Sequence, residues 1–171
     1  VNMLALLKGK PKVMNLKQII EAYVEHRKGV VTKRSKFELQ KAEERLEVVE
    51  GLIKAIKQID EIIAIIKKSS GATEAGENLQ KKFEFSKRQA QAILETRLQQ
   101  LTSLEQDKLK KELEELKVKI EELKKILSSV QEILSVIKKE VNDIKRQFGD
   151  ERRSQILQRI SEISEKDLVE K

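Results

Sequence analysis

One histidine, one tyrosine and no cysteine are all that the 171 residues offer to the commonest catalytic chemistries. A hydrolytic triad or a histidine metal cluster needs partners of matching type, and His26 stands alone between Glu25 and Arg27, where it reads as a surface or packing residue. Tyr23 falls among Ile19, Ile20 and Val24 at helical spacing, so it belongs to an apolar face and is not a nucleophile. Gly9-Lys10-Pro11-Lys12 lacks the spacing of a phosphate-binding loop and its strand-to-helix setting. Glu112, Glu114, Glu115, Glu121 and Glu122 have lysines at helical neighbour positions, which marks a solvated flank and not a set of metal ligands. No catalytic, cofactor-binding or metal-binding residue is assigned.

Charge is the remaining candidate. Residues 1–36 hold nine basic side chains (Lys8, Lys10, Lys12, Lys17, Arg27, Lys28, Lys33, Arg34, Lys36) against Glu21 and Glu25, and this end accounts for the whole net charge of +7. It reads either as a solubilising run or as a surface facing an anion such as duplex DNA, with Arg27, Lys28, Lys33 and Arg34 as the DNA-facing cluster. No aromatic is interleaved with these residues to stack a base, and no recognition helix is evident. The expected binding is weak, sequence-blind and salt-sensitive.

Composition points to the elements that carry this surface. With 38% charged residues, 3% aromatic and a single proline, the chain has the make-up of long solvated helices and not of a thick globular core. No stretch reaches the roughly 18 uncharged apolar residues of a membrane span, and Val1 to Leu7 is too short and too soon followed by lysines for a signal peptide. Without cysteine there is no disulfide framework, and a cytoplasmic location is expected.

Val1–Leu7 and Val13–Leu16 flank Lys8-Gly9-Lys10-Pro11 and predict a small β-hairpin; residues 1–15 are expected to be the remnant of a larger upstream domain, because a lone hairpin is unstable in water. A first arm, 16–68, starts at Asn15 as N-cap. Leu39, Leu46 and Ile53 recur every seven residues in it, as do Ala42, Val49, Ile56 and Ile63, giving an apolar seam. A continuous helix from Leu16 to Ile66 would span roughly 75 Å. Gly29-Val30-Val31-Thr32 predicts a bend, since glycine and β-branched residues lower helix propensity, and Lys67 to Gly76 predicts a loop.

Ser86 and Gln89 have capping-box spacing, with Phe85 as a staple, and open a short helix through Ala90, Ile93, Leu94, Leu98 and Leu101; Thr102 and Glu105 repeat the spacing. These make a tip, 69–108. From Leu109 an unbroken 4-3 pattern runs through Leu113, Leu116, Ile120, Leu123, Leu127, Val130, Leu134, Ile137, Val141, Ile144 and Phe148, a second arm over 109–148, with Ser128-Ser129 and Glu132 marking a junction between two helices. Residues 149–171 return toward the core. Two seams separated by about 40 residues fold back antiparallel. The expected fold class is therefore all-α: a long antiparallel coiled-coil hairpin with a small helical tip, preceded by a β-hairpin. Ile93, Leu94, Leu98, Leu101 and Leu104 give the tip more apolar surface than two short helices hide, so a homodimer through the tip is expected. On these features alone a structural arm-and-hinge module of a chromosome-maintenance protein ranks first.

One segment changes that ranking. Gln89-Ala90-Gln91-Ala92-Ile93-Leu94-Glu95-Thr96-Arg97-Leu98-Gln99-Gln100-Leu101-Thr102-Ser103-Leu104-Glu105 resembles the QAQAILxxRLxxLTxLE signature of the A subunits of type IIA DNA topoisomerases, the breakage-reunion subunits of gyrase and topoisomerase IV. Pro11 to Ile19, Phe37 to Arg45 and Phe148 to Arg153 agree with that family in the same order; Gly29, the Gly71–Gly76 segment and the residues after Ile156 depart from it. The resemblance implies that the arms are the coiled coil rising from the breakage-reunion core. The tip would form the dimer contact called the exit gate or C-gate, through Ile93, Leu94, Arg97, Leu98, Leu101 and Leu104. It further implies an ATP-dependent DNA isomerase as parent, with ATP and Mg2+ handled through a B subunit, and with the catalytic tyrosine on a domain upstream of these residues.

Overall fold

A computed structural model describes residues 3–96 and 103–154, without the side chains of 103–105. The chain opens with the expected hairpin, β1 (Leu4–Leu7) and β2 (Lys10–Val13), antiparallel with Leu4 opposite Val13 and Leu7 opposite Lys10. Its turn is Lys8-Gly9, both at positive φ, the two-residue connection whose twist suits a hairpin.

Helix α1 (Leu16–Lys57) is 42 residues long, about 63 Å at about 1.5 Å per residue. It begins in a full capping box: the Asn15 side chain accepts from the Gln18 N–H at 2.9 Å, and the Gln18 side chain accepts from the Asn15 N–H at 3.1 Å. The sequence predicts a bend at Gly29-Val30-Val31-Thr32, yet α1 is uninterrupted through that stretch. Tertiary burial outweighs propensity at this point. Val31 is wholly buried in a cluster with Ile133 and Ile137, and Thr32 Oγ1 donates to the Lys28 carbonyl at 2.8 Å, inside the helix.

The helix ends instead at Gln58, within the expected first arm, where neither glycine nor proline stands. Helix α2 (Ile59–Lys68) departs there, which turns Ile62 into a core with Leu79 and Phe83. Helix α3 (Ala72–Phe83) occupies much of what the glycines predicted to be loop. Glu74 supports its start, accepting from the Ser70 hydroxyl and from the Ser70 N–H at 2.8 Å; these bonds hold its carboxyl below the usual range. Glu84, at φ 57°, ends the helix in the left-handed region.

Helices α4 (Lys87–Glu95), α5 (Ser103–Ser128) and α6 (Val130–Phe148) complete the described chain. Helix α5 packs along α1 with Ala42, Val49, Ile120 and Leu123 buried. Pairing of Glu43 with Lys124 (2.9 Å) and Glu50 with Lys117 (4.0 Å) makes the two antiparallel, as the spacing of the seams predicts, and Arg45 reaches Glu112 at 2.6 Å outside that register. Ser129 interrupts the second arm as expected, its hydroxyl accepting from the Glu132 N–H at 3.2 Å. That break resets the helical phase, so the 4-3 line predicted beyond it is only partly realised. Val130, Leu134, Val141, Ile144 and Phe148 are exposed, while Ile133 and Ile137 are buried. The described residues from 138 to 154 belong to a unit separate from the preceding one; in it Arg146 pairs with Asp143 at 2.6 Å and Arg153 with Asp150 at 3.8 Å. No described helix is long and apolar enough to cross a membrane.

Two substitutions test this architecture. An added Cβ at Gly29 meets no atom within 4 Å, so Gly29→Ala raises stability by about 0.5–1 kcal/mol in denaturant titration; a loss of stability would show that α1 bends there after all. Arg45→Glu alone costs no more than about 1 kcal/mol, as half-exposed pairs do, and Glu112→Arg in the same chain restores it; lack of restoration would contradict the pairing of Arg45 with Glu112.

Candidate functional site

The tip has its own core. Ala55 of α1, Ile62 of α2, Leu79 and Phe83 of α3, Phe85, and Ala90 and Ile93 of α4 are buried together, with Leu52, Ile65 and Leu94 leaning on them. Phe85 precedes the N-cap of α4 and packs in the same cluster as Ala90 four helical positions on, a hydrophobic staple as the sequence predicts. Its ring lies 5.7 Å from that of Phe83. Sequence reading missed α3 as a core element, yet Ala75, Leu79 and Phe83 at four-residue spacing carried the signal.

Polar contacts then tie the tip to α1. Lys54 Nζ donates to the Phe83 carbonyl at 2.6 Å, closing the end of α3, and lies 5.1 Å from the Phe85 ring centre. Ser86 and Gln89 form the predicted capping box. The Ser86 hydroxyl donates to the Glu47 carboxylate, Arg88 reaches the same carboxylate at 3.3 Å, and Gln89 Nε2 donates to the Glu47 backbone carbonyl at 2.9 Å. Beside them, Gln40 first, then Lys41 and Arg88, hold the Glu44 carboxyl below its usual range.

Of the predicted contact residues, Ile93 is buried in the tip's own core and Leu94 is half-buried against it. Arg97, Leu98 and Leu101, and the side chain of Leu104, lie outside the described residues, as does the capping pair Thr102 and Glu105. Next to α4 an apolar groove of about 510 Å³ opens between Ile56, Ile59, Ile63, Ile66 and Leu109, with the Arg45–Glu112 pair on its lining.

The four basic residues do not share one face. In an unbroken helix Arg27 and Arg34, seven apart, lie nearly in line, whereas Lys28 and Lys33 fall on opposite flanks at about 100° per residue. Lys28 is held by Glu25 at 2.5 Å. On the flank of Lys33 and Arg34 the structure adds a residue that the sequence reading passed over. Phe37 is 61% exposed, and Lys41 lies 5.8 Å from its ring centre. The spacing Lys33, Phe37, Lys41 could have found it.

Residues 1–142 match the family of the DNA gyrase and topoisomerase IV A subunits. The chain belongs to that family. Among its relatives, the DNA gyrase A subunit from Streptococcus pneumoniae is 50% identical over 111 residues, which is 65% of this chain and 14% of that protein. Its counterpart in Aminobacterium colombiense, also a DNA gyrase A subunit, is 50% identical over 110 residues, 64% of this chain and 14% of that protein. The one from Staphylococcus aureus is 48% identical over 112 residues, 66% and 13%. The matched part is thus about a seventh of these relatives' length. Membership in the gyrase/topoisomerase IV A-subunit family bears out the resemblance drawn from the QAQAIL segment and displaces the arm-and-hinge reading. The family match ends at residue 142, ahead of the Phe148–Arg153 segment that also resembles it. Within the signature, Gln89 clasps α4 to α1 and shares its cap with Ser86 just upstream, while Ala90 and Ile93 supply the core face of α4, so much of the motif's described portion is spent on seating this helix.

Proposed function

We propose that the chain is the exit-gate segment of the breakage-reunion subunit of a gyrase-like type IIA topoisomerase. Two tips associate about a two-fold axis, hold the subunits together while DNA is cut elsewhere in the parent, and part to release the transported duplex. The observation that supports this is a separately cored helical tip, seated on an antiparallel helix pair, with an apolar groove left open beside α4. A water-exposed trough lined by isoleucine gains from a partner of like surface, and a second copy supplies one. The parent enzyme is an ATP-dependent DNA isomerase of the cytoplasm whose B subunit handles ATP and Mg2+. This segment contributes mechanics and not chemistry.

Duplex DNA is a transient partner in this reading. Cations on two flanks of α1 neutralise a few phosphates without reading sequence, and such binding weakens with salt through counterion release. Tight binding would trap the duplex that the gate must pass.

Ile63 and Ile66 line the groove without belonging to the tip's buried core, so Ile63→Glu with Ile66→Glu leaves helical content intact and raises the dimer dissociation constant about 100-fold in sedimentation equilibrium. Charged residues at Leu98 and Leu101, the positions assigned from the sequence, have the same effect. A dimer surviving both pairs of changes refutes the tip as the contact. Replacing Arg27, Lys28, Lys33 and Arg34 with alanine abolishes low-salt duplex binding in a fluorescence titration and leaves dimerisation unchanged; undiminished binding by that variant refutes the DNA-facing role.

A further inference from the structure

We infer that Gln89, seated against Gly51, is the positioning residue that locks the tip to α1, so that tip and arm move as one body when the proposed gate opens; the inference rests on that gate reading. Three observations meet at this side chain. Gln89 Oε1 accepts from the Ser86 N–H at 3.0 Å, which closes the capping box of α4 and would do so in any exposed helix. Its Nε2 is then free to leave the helix, and it donates to the Glu47 carbonyl of α1 at 2.9 Å. That carbonyl is the helical acceptor for the N–H of Gly51, four residues on, and it has a second lone pair to offer.

Reaching that carbonyl requires Gln89 to lie flat on the α1 backbone, and Gly51 makes this possible. A Cβ at position 51 would stand 2.7 Å from Gln89 Cγ and 3.0 Å from its Cβ. Glycine in a helix interior lowers stability, so its presence at a buried position is explained by the close approach and not by propensity. Gly51 differs in this from Gly29 of the same helix, where an added Cβ meets nothing.

The remaining contacts converge on the same turn of α1. Both oxygens of the Glu47 carboxylate are engaged, one by the Ser86 hydroxyl and one by Arg88, which also approaches Glu44 at 3.7 Å. A helix held by its first turn at three points, two of them fixed by a cap, has no free axis on which to swivel. Opening that required the tip to rotate on the arm would have to break the Gln89 bond; opening by movement of the arm itself would not.

The test uses the 171-residue chain with four variants: Gly51→Ala, Gln89→Ala, the double variant, and Gln89→Glu, which keeps the cap acceptor but removes the donor to Glu47. Amide hydrogen exchange is read separately for Lys87–Glu95 and for the middle of α5, and the dimer dissociation constant is measured alongside. Gly51→Ala and Gln89→Glu each raise exchange in α4 by about 10-fold or more while α5 keeps its protection, and each weakens the dimer about 10-fold. Adding Gln89→Ala to Gly51→Ala removes the closest contact, to Cγ, and leaves only Cβ at 3.0 Å, so exchange in the double variant stays within about 2-fold of that in Gln89→Ala alone. The inference is overturned if α4 keeps its protection in Gly51→Ala, or if protection falls equally in α4 and α5, the pattern of general destabilisation. If the unmodified chain does not dimerise, the gate reading fails, while the exchange data still report whether the lock exists.

Discussion

A helix of 42 residues gains little net stability in water from its own hydrogen bonds, so α1 depends on the narrow apolar line it shows to its neighbours. Each stretch of that line has a different partner. Val31 is covered by Ile133 and Ile137 of α6, Ala42 and Val49 face the stretch along which α5 runs, and Ala55 enters the tip core. With only 3% aromatic residues the chain has few rings to thicken these contacts, and most of the buried side chains are aliphatic. Helices α4, α5 and α6 are each placed by the stretch of α1 that they cover, and α3 is placed by α2 and α4.

Charge contributes differently along the same helix. The cross-helix pairs at Glu43, Arg45 and Glu50 are half-exposed, and pairs of that kind add little stability. Their use lies in register, since a slip of one helical turn separates Glu43 from Lys124 and Glu50 from Lys117. Around Glu47 the contacts are shorter in reach and tied to caps, and there polar groups fix orientation as well as register. Mutual recognition of the helices leaves the shaft neutral, and the net positive charge of the chain is confined to its start.

For a segment proposed to hold and release, this division matters. The contacts within the tip are buried and capped, whereas the groove beside α4 is open and apolar. A surface that has to part repeatedly is served by apolar contact between rigid bodies, since separation then costs hydration of a limited area and no unfolding of either tip.

The amino-acid sequence by itself determined the helical class, the hairpin at Lys8-Gly9, the N-caps at Asn15, Ser86 and Ser129, and the antiparallel return of the second seam. All of these rest on local hydrogen bonding or on period. It also carried the family, because the QAQAIL segment is long and specific. What the period could not decide was where α1 ends and which side chains of α6 are buried. No local signal marks Gln58, where the helix stops so that Ile62 can reach Leu79 and Phe83; the glycines at 71 and 76 spoke for a loop where the packing of Leu79 and Phe83 makes a helix. Beyond Ser129 the heptad line continues on paper, but after a break of one residue only Ile137 of that line is buried, and Ile133, which lies off it, is buried beside it. Gly29 and Gly51 look alike in the sequence, and only the tertiary structure separates them: one faces open space, and the other is where Gln89 crosses the backbone. Local chemistry sets how a segment folds, whereas the choice among faces and stopping points belongs to the neighbours that bury them.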